Sequence, residues 1–246
     1  MSGSNTVAWR DHDAVLFDLD GVLTPTAEVH MRAWAEMFGA FLAEWDDPTA
    51  DTSPYSDADY FAHVDGKPRY DGVRDFLASR GIRLPEGDQS DPPDARSVCG
   101  LGNRKNDAFN VVLARDGVEP YPGSVELLDL LREQGMPLAV VSSSVNAPAV
   151  LEAAGLAGRF VTVVDGRVAT SLRLAGKPAP DTFVHAAKEC GTTPARSAVV
   201  EDAVSGVRAG AAGGFGLVIG VDRGAGADVL TAAGAHVVVT DLRELA

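Results

Sequence analysis

Five short runs are apolar at nearly every position: Ala14–Phe17, Leu138–Val141, Ala198–Val200, Leu217–Ile219 and Val237–Val239. A strand with one wet face alternates apolar and polar residues. A continuously apolar run is buried on both faces, as in a parallel sheet covered by helices. Helix-like stretches lie between many of these runs. Ser124–Glu133 follows Pro122-Gly123 and sets its leucines on one face; Pro148–Ala154 and Thr182–Glu189 also read as helices. Strands alternating with helices predict an open α/β sheet with right-handed crossovers. The 246 residues suffice for one large domain or two modest ones.

One interval breaks the alternation. Residues 27–112 contain no convincing buried strand. Ala27–Glu44 reads as an amphipathic helix, and Asp71–Ser79 and Arg104–Arg115 look helical too. Asp46–Asp59 and Gly87–Ala95 are rich in acidic, Pro and Ser residues and read as loops. The expected organisation is a catalytic α/β core formed by residues 1–26 and 113–246, with a helical domain of residues 27–112 inserted after strand one.

Charge and cysteine usage exclude several functions. Thirty-five acidic against 21 basic residues give a net charge of −14, which disfavours non-specific binding to nucleic acid or to an anionic membrane. Cys99 and Cys190 form neither a disulfide framework nor a zinc pattern. The first residues lack the basic and apolar regions of a secretory leader, and no run of about 18 apolar residues occurs. A reducing cytoplasm is the expected location, with no nucleic-acid or membrane partner and a monomeric state.

The chemistry is concentrated at strand ends. In open α/β sheets ligands bind beyond the carboxyl ends of the strands. The first run leads into Asp18-Leu19-Asp20-Gly21-Val22-Leu23-Thr24, the second into Ser142-Ser143-Ser144, and a third into Glu201-Asp202. Four carboxylates are thus predicted at one edge. Such a group repels itself unless a cation sits within it, and oxygen donors without His or Cys favour Mg²⁺. Alternation puts Asp18 and Asp20 on one side. One can attack a phosphoryl group while the other handles a proton. Lys177, in the loop Gly176-Lys177-Pro178-Ala179-Pro180-Asp181, is a candidate cation for a phosphate dianion.

These residues resemble the motifs of the haloacid dehalogenase superfamily of phosphotransferases. Asp18–Thr24 is similar to its first motif, Ser142 to the second, Lys177 to the third and Glu201-Asp202 to the fourth, in the right order over almost the whole chain. The resemblance implies a Rossmann-like core, with the insertion serving as a helical cap. Within the superfamily the likeness is to the β-phosphoglucomutase-like subfamily, through FDLDGVLTPTAEVHMRAW, Arg104–Asp107, Tyr121–Gly123, Ser142–Asn146, GKPAPD and VVEDAVSGVRAG. It implies that Asp18 is the nucleophile and Asp20 the general acid/base. Asp18, Asp20, Glu201 and Asp202 would hold Mg²⁺, and Ser142 and Lys177 the transferring phosphoryl group. His30, Trp34 and Lys105 would couple cap closure to chemistry. Gly66, Lys67 and Arg69 would grip a small phosphorylated sugar, and Ser144 and Asn146 its second phosphate. Two positions depart from the family pattern. Pro25 stands where an acidic residue is usual, and Val145 where a lysine is usual. Lys67 could supply the missing charge.

Several residues have plainer readings. Trp34 and His30 lie on the apolar face of the first long helix, where core packing competes with a site role. Arg69 competes with Arg74 and Arg80 for any anion. Two functions remain open for such a site: a phosphomutase interconverting β-glucose 1-phosphate and glucose 6-phosphate, and a sugar-phosphate phosphatase. They differ in whether a sugar hydroxyl or water accepts the phosphoryl group. A phospho-aspartate signalling receiver is a more remote alternative, since Asp20 would have no clear task in it. Dehalogenation through an aspartate ester is another, since it would not need the metal constellation.

Overall fold

The structure, a computed structural model, describes residues 7–246, without the side chains of Ala27, Val112 and Asp116. In chain order these residues form β1 (Ala14–Phe17), α1 (Thr26–Ala43), the single turn α2 (Asp57–Asp59) continuing into a π-helical turn at Tyr60–Val64, α3 (Arg69–Ser79), α4 (Val98–Asp116), α5 (Pro122–Glu133), β2 (Leu138–Val141), α6 (Ala147–Ala153), β3 (Thr162–Val164), α7 (Gly166–Leu172), α8 (Asp181–Glu189), β4 (Ser197–Glu201), α9 (Val204–Ala212), β5 (Leu217–Val221), α10 (Ala227–Ala233) and β6 (Val237–Val239). They divide into two compact units, Met1–Pro25 with Val118–Ala246, and Thr26–Gly117.

The first unit is a Rossmann-like α/β fold. Its six strands are all parallel, in the order β3-β2-β1-β4-β5-β6. Strand order reverses around β1, which lies between β2 and β4. That is the topological switch point at which such sheets bind ligands. Three of the five runs predicted to be buried on both faces are so: every residue of β1, β2 and β4 is buried, whereas Leu217 of β5 and Val237 and Val238 of the edge strand β6 are only partly buried. Helices pack on them through Phe183, Ala186 and Ala187 of α8 and Val207 and Ala209 of α9. Helix α9 lies close because it is small-residue rich. A methyl at Gly210 would sit only 3.1 Å from Val218 and 3.4 Å from Val199. Trp9 ties the start of the described chain to its end, Nε1 donating to the Leu245 carbonyl at 3.0 Å.

The second unit is wholly helical and has its own core. Trp34, Met37, Phe38, Phe41 and Leu42 of α1 pack with Tyr60, Val64, Val73, Phe76, Leu77, Val98 and Leu101. Phe38 sits at the centre, its ring 4.0 Å from Phe76 and 5.2 Å from Tyr55. Arg80 is buried beside this core. It donates to Asp59 Oδ2 at 2.9 Å and to the Ser53 carbonyl at 3.0 Å, so its charge is spent within the unit. Helix α4 begins six residues before the expected start and runs through the expected boundary at 112 to Asp116, because Gly117 (φ 65°) is the first residue to leave the helical conformation. The stretch expected to be a loop up to Asp59 turns helical at Asp57. There Ser56 and Asp59 cap each other reciprocally.

Candidate active site

Strand β1 ends at Phe17, so Asp18 is the first residue beyond it, its amide still donating to the Val200 carbonyl of β4 at 2.9 Å. The next residues form a tight turn. Gly21 N donates to Thr24 O at 2.8 Å, and the amides of Leu23 and Thr24 return to Leu19 O. Gly21 takes φ +82°, and a methyl there would lie 1.8 Å from Asp202 Oδ2. Only glycine fits both demands. The Asp202 carboxylate therefore lies directly against the turn that carries Asp20.

Lys177 is the organising cation. An ammonium group has three N–H donors, and all three are used. One meets Asp18 Oδ1 in a short contact, one donates to the Val141 carbonyl at 3.0 Å, and one to Glu201 Oε1 at 2.6 Å. Lys177 thus joins the carboxyl ends of β1, β2 and β4. It is buried, yet Asp18 and Glu201 together outweigh the burial and hold its pKa above the ordinary lysine value. For Asp18, burial pushes the carboxyl well up; Lys177 opposes this, and the neighbouring charges of Glu201 and Asp20 add to it. Glu201, expected as a metal ligand, has both oxygens engaged by the protein, Oε1 by Lys177 and Oε2 by the Ala203 amide at 2.8 Å. A methyl at Gly206 would sit 1.7 Å from Oε1, so α9 leaves room for that carboxylate and nothing more.

Ser142, the first residue after β2, donates its hydroxyl to Asp20 Oδ2 at 3.4 Å and accepts the Ser144 amide at 3.1 Å. The Ser144 hydroxyl in turn accepts the Asn146 amide at 3.1 Å. This loop is braced by Gly166, whose amide donates to Ser144 O. A methyl at Gly166 would be 2.8 Å from Ser143 O and 3.0 Å from Val145 Cγ1. Asp18, Asp20, Ser142, Lys177, Glu201 and Asp202 are therefore gathered at one sheet edge.

Among the described residues no three His, Cys, Asp or Glu side chains enclose a metal by themselves. Mg²⁺ does not require that. It keeps waters and takes one or two carboxylates plus phosphate oxygens. Asp18, Asp20 and Asp202 offer oxygen donors only, and the charges of Glu201 and Asp20 add to the burial that pushes Asp18 up. These residues fit a hard divalent cation.

In the helical unit, Lys105 is buried over the rings of Trp34 (5.2 Å) and Phe109 (5.1 Å), and its Nζ meets His30 Nδ1. His30 stacks on Phe109 at 4.1 Å. Trp34 belongs to the core and also forms the floor under Lys105. Gly66 takes φ +67°, a conformation that favours glycine. Lys67 pairs with Asp75, which also lies 3.6 Å from His63 Nδ1, so its charge is partly met within the unit. Arg69 contacts Tyr70 and Asn103. Arg74 is paired with Glu86 and Asp71, and Arg80 with Asp51 and Asp59. Of the three competing arginines, Arg69 has no carboxylate partner among the described residues.

One contact residue was not singled out by the sequence. Arg223, just after β5, donates Nε to the Gly21 carbonyl at 2.8 Å and Nη1 to the Thr240 carbonyl at 3.0 Å, and stacks at 4.0 Å over Tyr121. Tyr121 N holds Leu23 O at 3.0 Å, and Ser124 Oγ holds Val22 O at 2.7 Å. The carbonyls of Gly21, Val22 and Leu23 are each fixed from outside the turn. The sequence signal for Arg223 is no more than a charged residue two positions beyond a buried strand.

Residues 12–214 match the family model of haloacid dehalogenase-like hydrolases. The chain is 50% identical to a β-phosphoglucomutase of Mycobacterium bovis over 238 residues, covering 94% of this chain and 90% of that one. It is 31% identical to a β-phosphoglucomutase of Bacillus subtilis, covering 86% and 84%. Among solved structures, a haloacid dehalogenase family hydrolase from Deinococcus radiodurans with bound phosphate and sodium superposes with a TM-score of 0.64 at 30% identity, covering 95% and 93%. Kinship to enzymes at this level removes the signalling-receiver reading. With the family's motifs gathered at the switch point of a six-stranded parallel sheet, the chain belongs to the haloacid dehalogenase-like hydrolase family and is an enzyme of β-phosphoglucomutase likeness.

Proposed function

We propose that this chain is a Mg²⁺-dependent phosphomutase that interconverts β-glucose 1-phosphate and glucose 6-phosphate. The observation that carries the chemistry is the clamp of Lys177 on Asp18 and Glu201 at the switch point, with Asp20 two residues beyond Asp18. The relatives named β-phosphoglucomutase favour a sugar acceptor.

In the first half-reaction an Asp18 carboxylate oxygen attacks phosphorus of a bisphosphorylated hexose. The Asp18 O–P bond forms, the sugar O–P bond breaks, and Asp20 gives its proton to the departing sugar oxygen. In the second half-reaction the other hydroxyl-bearing end of a hexose monophosphate attacks the acyl phosphate. Asp20 takes the proton from that hydroxyl, which regenerates Asp18. Lys177 and Ser142 hold the transferring phosphoryl group, while Glu201 and the Val141 carbonyl fix Lys177. Mg²⁺, held by Asp18, Asp20 and Asp202, would neutralise charge on the phosphoryl oxygens. In the helical unit Gly66, Lys67, Arg69, His30, Trp34 and Lys105 serve sugar binding, and in the α/β unit Ser144 and Asn146 serve binding of a phosphate.

A second reading is a sugar-phosphate phosphatase with the same first half-reaction. Val145 favours it, because the phosphate loop then lacks a lysine, and so does the pairing of Lys67 with Asp75. The test supplies purified protein and Mg²⁺ with β-glucose 1-phosphate and a trace of glucose 1,6-bisphosphate, and follows glucose 6-phosphate and free phosphate together. Glucose 6-phosphate without phosphate release is the expected result. Phosphate release without isomerisation would replace the mutase by the phosphatase.

A further inference from the structure

Arg69 is held along one side by neutral partners. Its Nη2 donates to Tyr70 Oη at 2.9 Å and to Asn103 Oδ1 at 3.2 Å, and the Tyr70 hydroxyl donates to the same Oδ1 at 2.8 Å. The sense of this network is set from its far end. Asn103 Nδ2 donates to the carbonyls of Gln89 (3.0 Å) and Asp91 (2.9 Å), both in the loop before α4. Two carbonyl acceptors can be met only by the amide NH₂, so Oδ1 must face Arg69 and Tyr70. With Oδ1 accepting, the tyrosine hydroxyl is a donor to it and turns a lone pair to Arg69. The tyrosine ring is itself wedged against α4, since a methyl at Gly102 would lie 2.7 Å from its Cδ1.

One donor of the guanidinium is not met. Arg69 Nε is buried and has no hydrogen-bond partner among the described residues. Neutral partners orient the group without cancelling its charge, unlike the carboxylates that take up Arg74 and Arg80. A guanidinium with a fixed orientation, an uncancelled charge and an unmet Nε–H suits binding of a phosphate oxygen.

We propose that Asn103 and Tyr70 are positioning residues that aim Arg69 at the non-transferring phosphate of the sugar, and that the loop at residues 87–95 sets affinity for the phosphorylated sugar through the Gln89 and Asp91 carbonyls. The inference rests on the reading of Arg69 as a substrate-binding residue.

The test compares kcat and KM of the phosphosugar reaction in the wild type, Asn103→Ala, Tyr70→Phe, Arg69→Ala and the Asn103→Ala/Arg69→Ala double variant. Asn103→Ala should raise KM about tenfold and Tyr70→Phe about threefold, with kcat within about twofold, as expected for lost orientation of one charge-assisted contact. Phosphorylation of Asp18 by acetyl phosphate, which has no second phosphate, should not change in Asn103→Ala or Tyr70→Phe. In the Arg69→Ala background, Asn103→Ala should add nothing. If Asn103→Ala does not fold, Tyr70→Phe keeps the ring and carries the test. A KM unmoved by Asn103→Ala and Tyr70→Phe, while Arg69→Ala raises it, would overturn the positioning role alone. An equal effect of Asn103→Ala with and without Arg69 would overturn it too. A KM unmoved by Arg69→Ala would instead remove the substrate role of Arg69, and the inference with it.

Discussion

Lys177 and Arg69 show how differently the two units treat a cation. Lys177 stands where three strands end, and each of its donors meets an acceptor whose backbone the sheet fixes. Arg69 opens a helix in a unit without strands, is steered by side chains, and keeps its Nε–H unpaired. The difference teaches a division of labour. Placement to a fraction of an ångström, which bond making demands, comes from rigid strand ends. Recognition of a second phosphate, the role proposed for Arg69, would tolerate adjustable side chains and retuning by a loop.

The largest effect that would test this contrast comes from Asp18→Asn. It should lower phosphoryl transfer by on the order of 10⁴–10⁶-fold, the scale for losing a covalent nucleophile. It should also raise the melting temperature of the metal-free protein at neutral pH. Burial and neighbouring carboxylates raise the folded-state pKa of Asp18, so ionising it costs the folded state once pH exceeds the unfolded value. The gain in the variant should therefore vanish below about pH 4, where the carboxyl is neutral in both states. A pH series of thermal melts checks both signs.

Gly206→Ala comes next. Its methyl would fall on Glu201 Oε1, shifting the carboxylate that fixes Lys177. Overpacking of this kind costs about 1–3 kcal/mol, and steady-state kinetics should show a loss of kcat of about 10²-fold, the cost of a misplacement near 1 Å. Arg223→Ala removes an outside brace on the Gly21 carbonyl. Here kcat should fall about tenfold at unchanged KM, near one charge-assisted hydrogen bond, with Arg223→Lys intermediate. The smallest effect belongs to Lys67→Ala. Its charge is partly met by Asp75, which weakens its hold on the substrate, so KM for the phosphosugar should rise only about threefold, as for a partly exposed ion pair. A larger rise would show that Lys67 gives up Asp75 altogether when the substrate binds.

Much of the α/β unit was legible because burial on both faces leaves a continuous apolar signature, as in β1, β2 and β4. Strand β3 escaped it: three residues at the sheet edge, with only Val164 buried, carry no such run. Helix α7 has no buried residue to mark a face. Helix α9 contains Gly206 and Gly210, which local propensity disfavours and which close packing on Glu201 and Val218 requires. The same rule governs the site. Residues at strand ends are read from sequence because the sheet dictates where they converge. Arg223 and Asn103 act through carbonyls 202, 17, 14 and 12 residues away, and backbone carbonyls leave no mark in an amino-acid sequence. Tyr70, adjacent to Arg69, was equally silent, since its hydroxyl gains meaning only from Asn103.

The most direct measurement is to mix the protein briefly with glucose 1,6-bisphosphate and Mg²⁺, quench, and map the modified peptide by mass spectrometry. The account predicts one added phosphoryl group on Asp18, absent in Asp18→Asn and discharged by glucose 6-phosphate. An active enzyme carrying its phosphoryl group on another residue, or turning over with none, would contradict it.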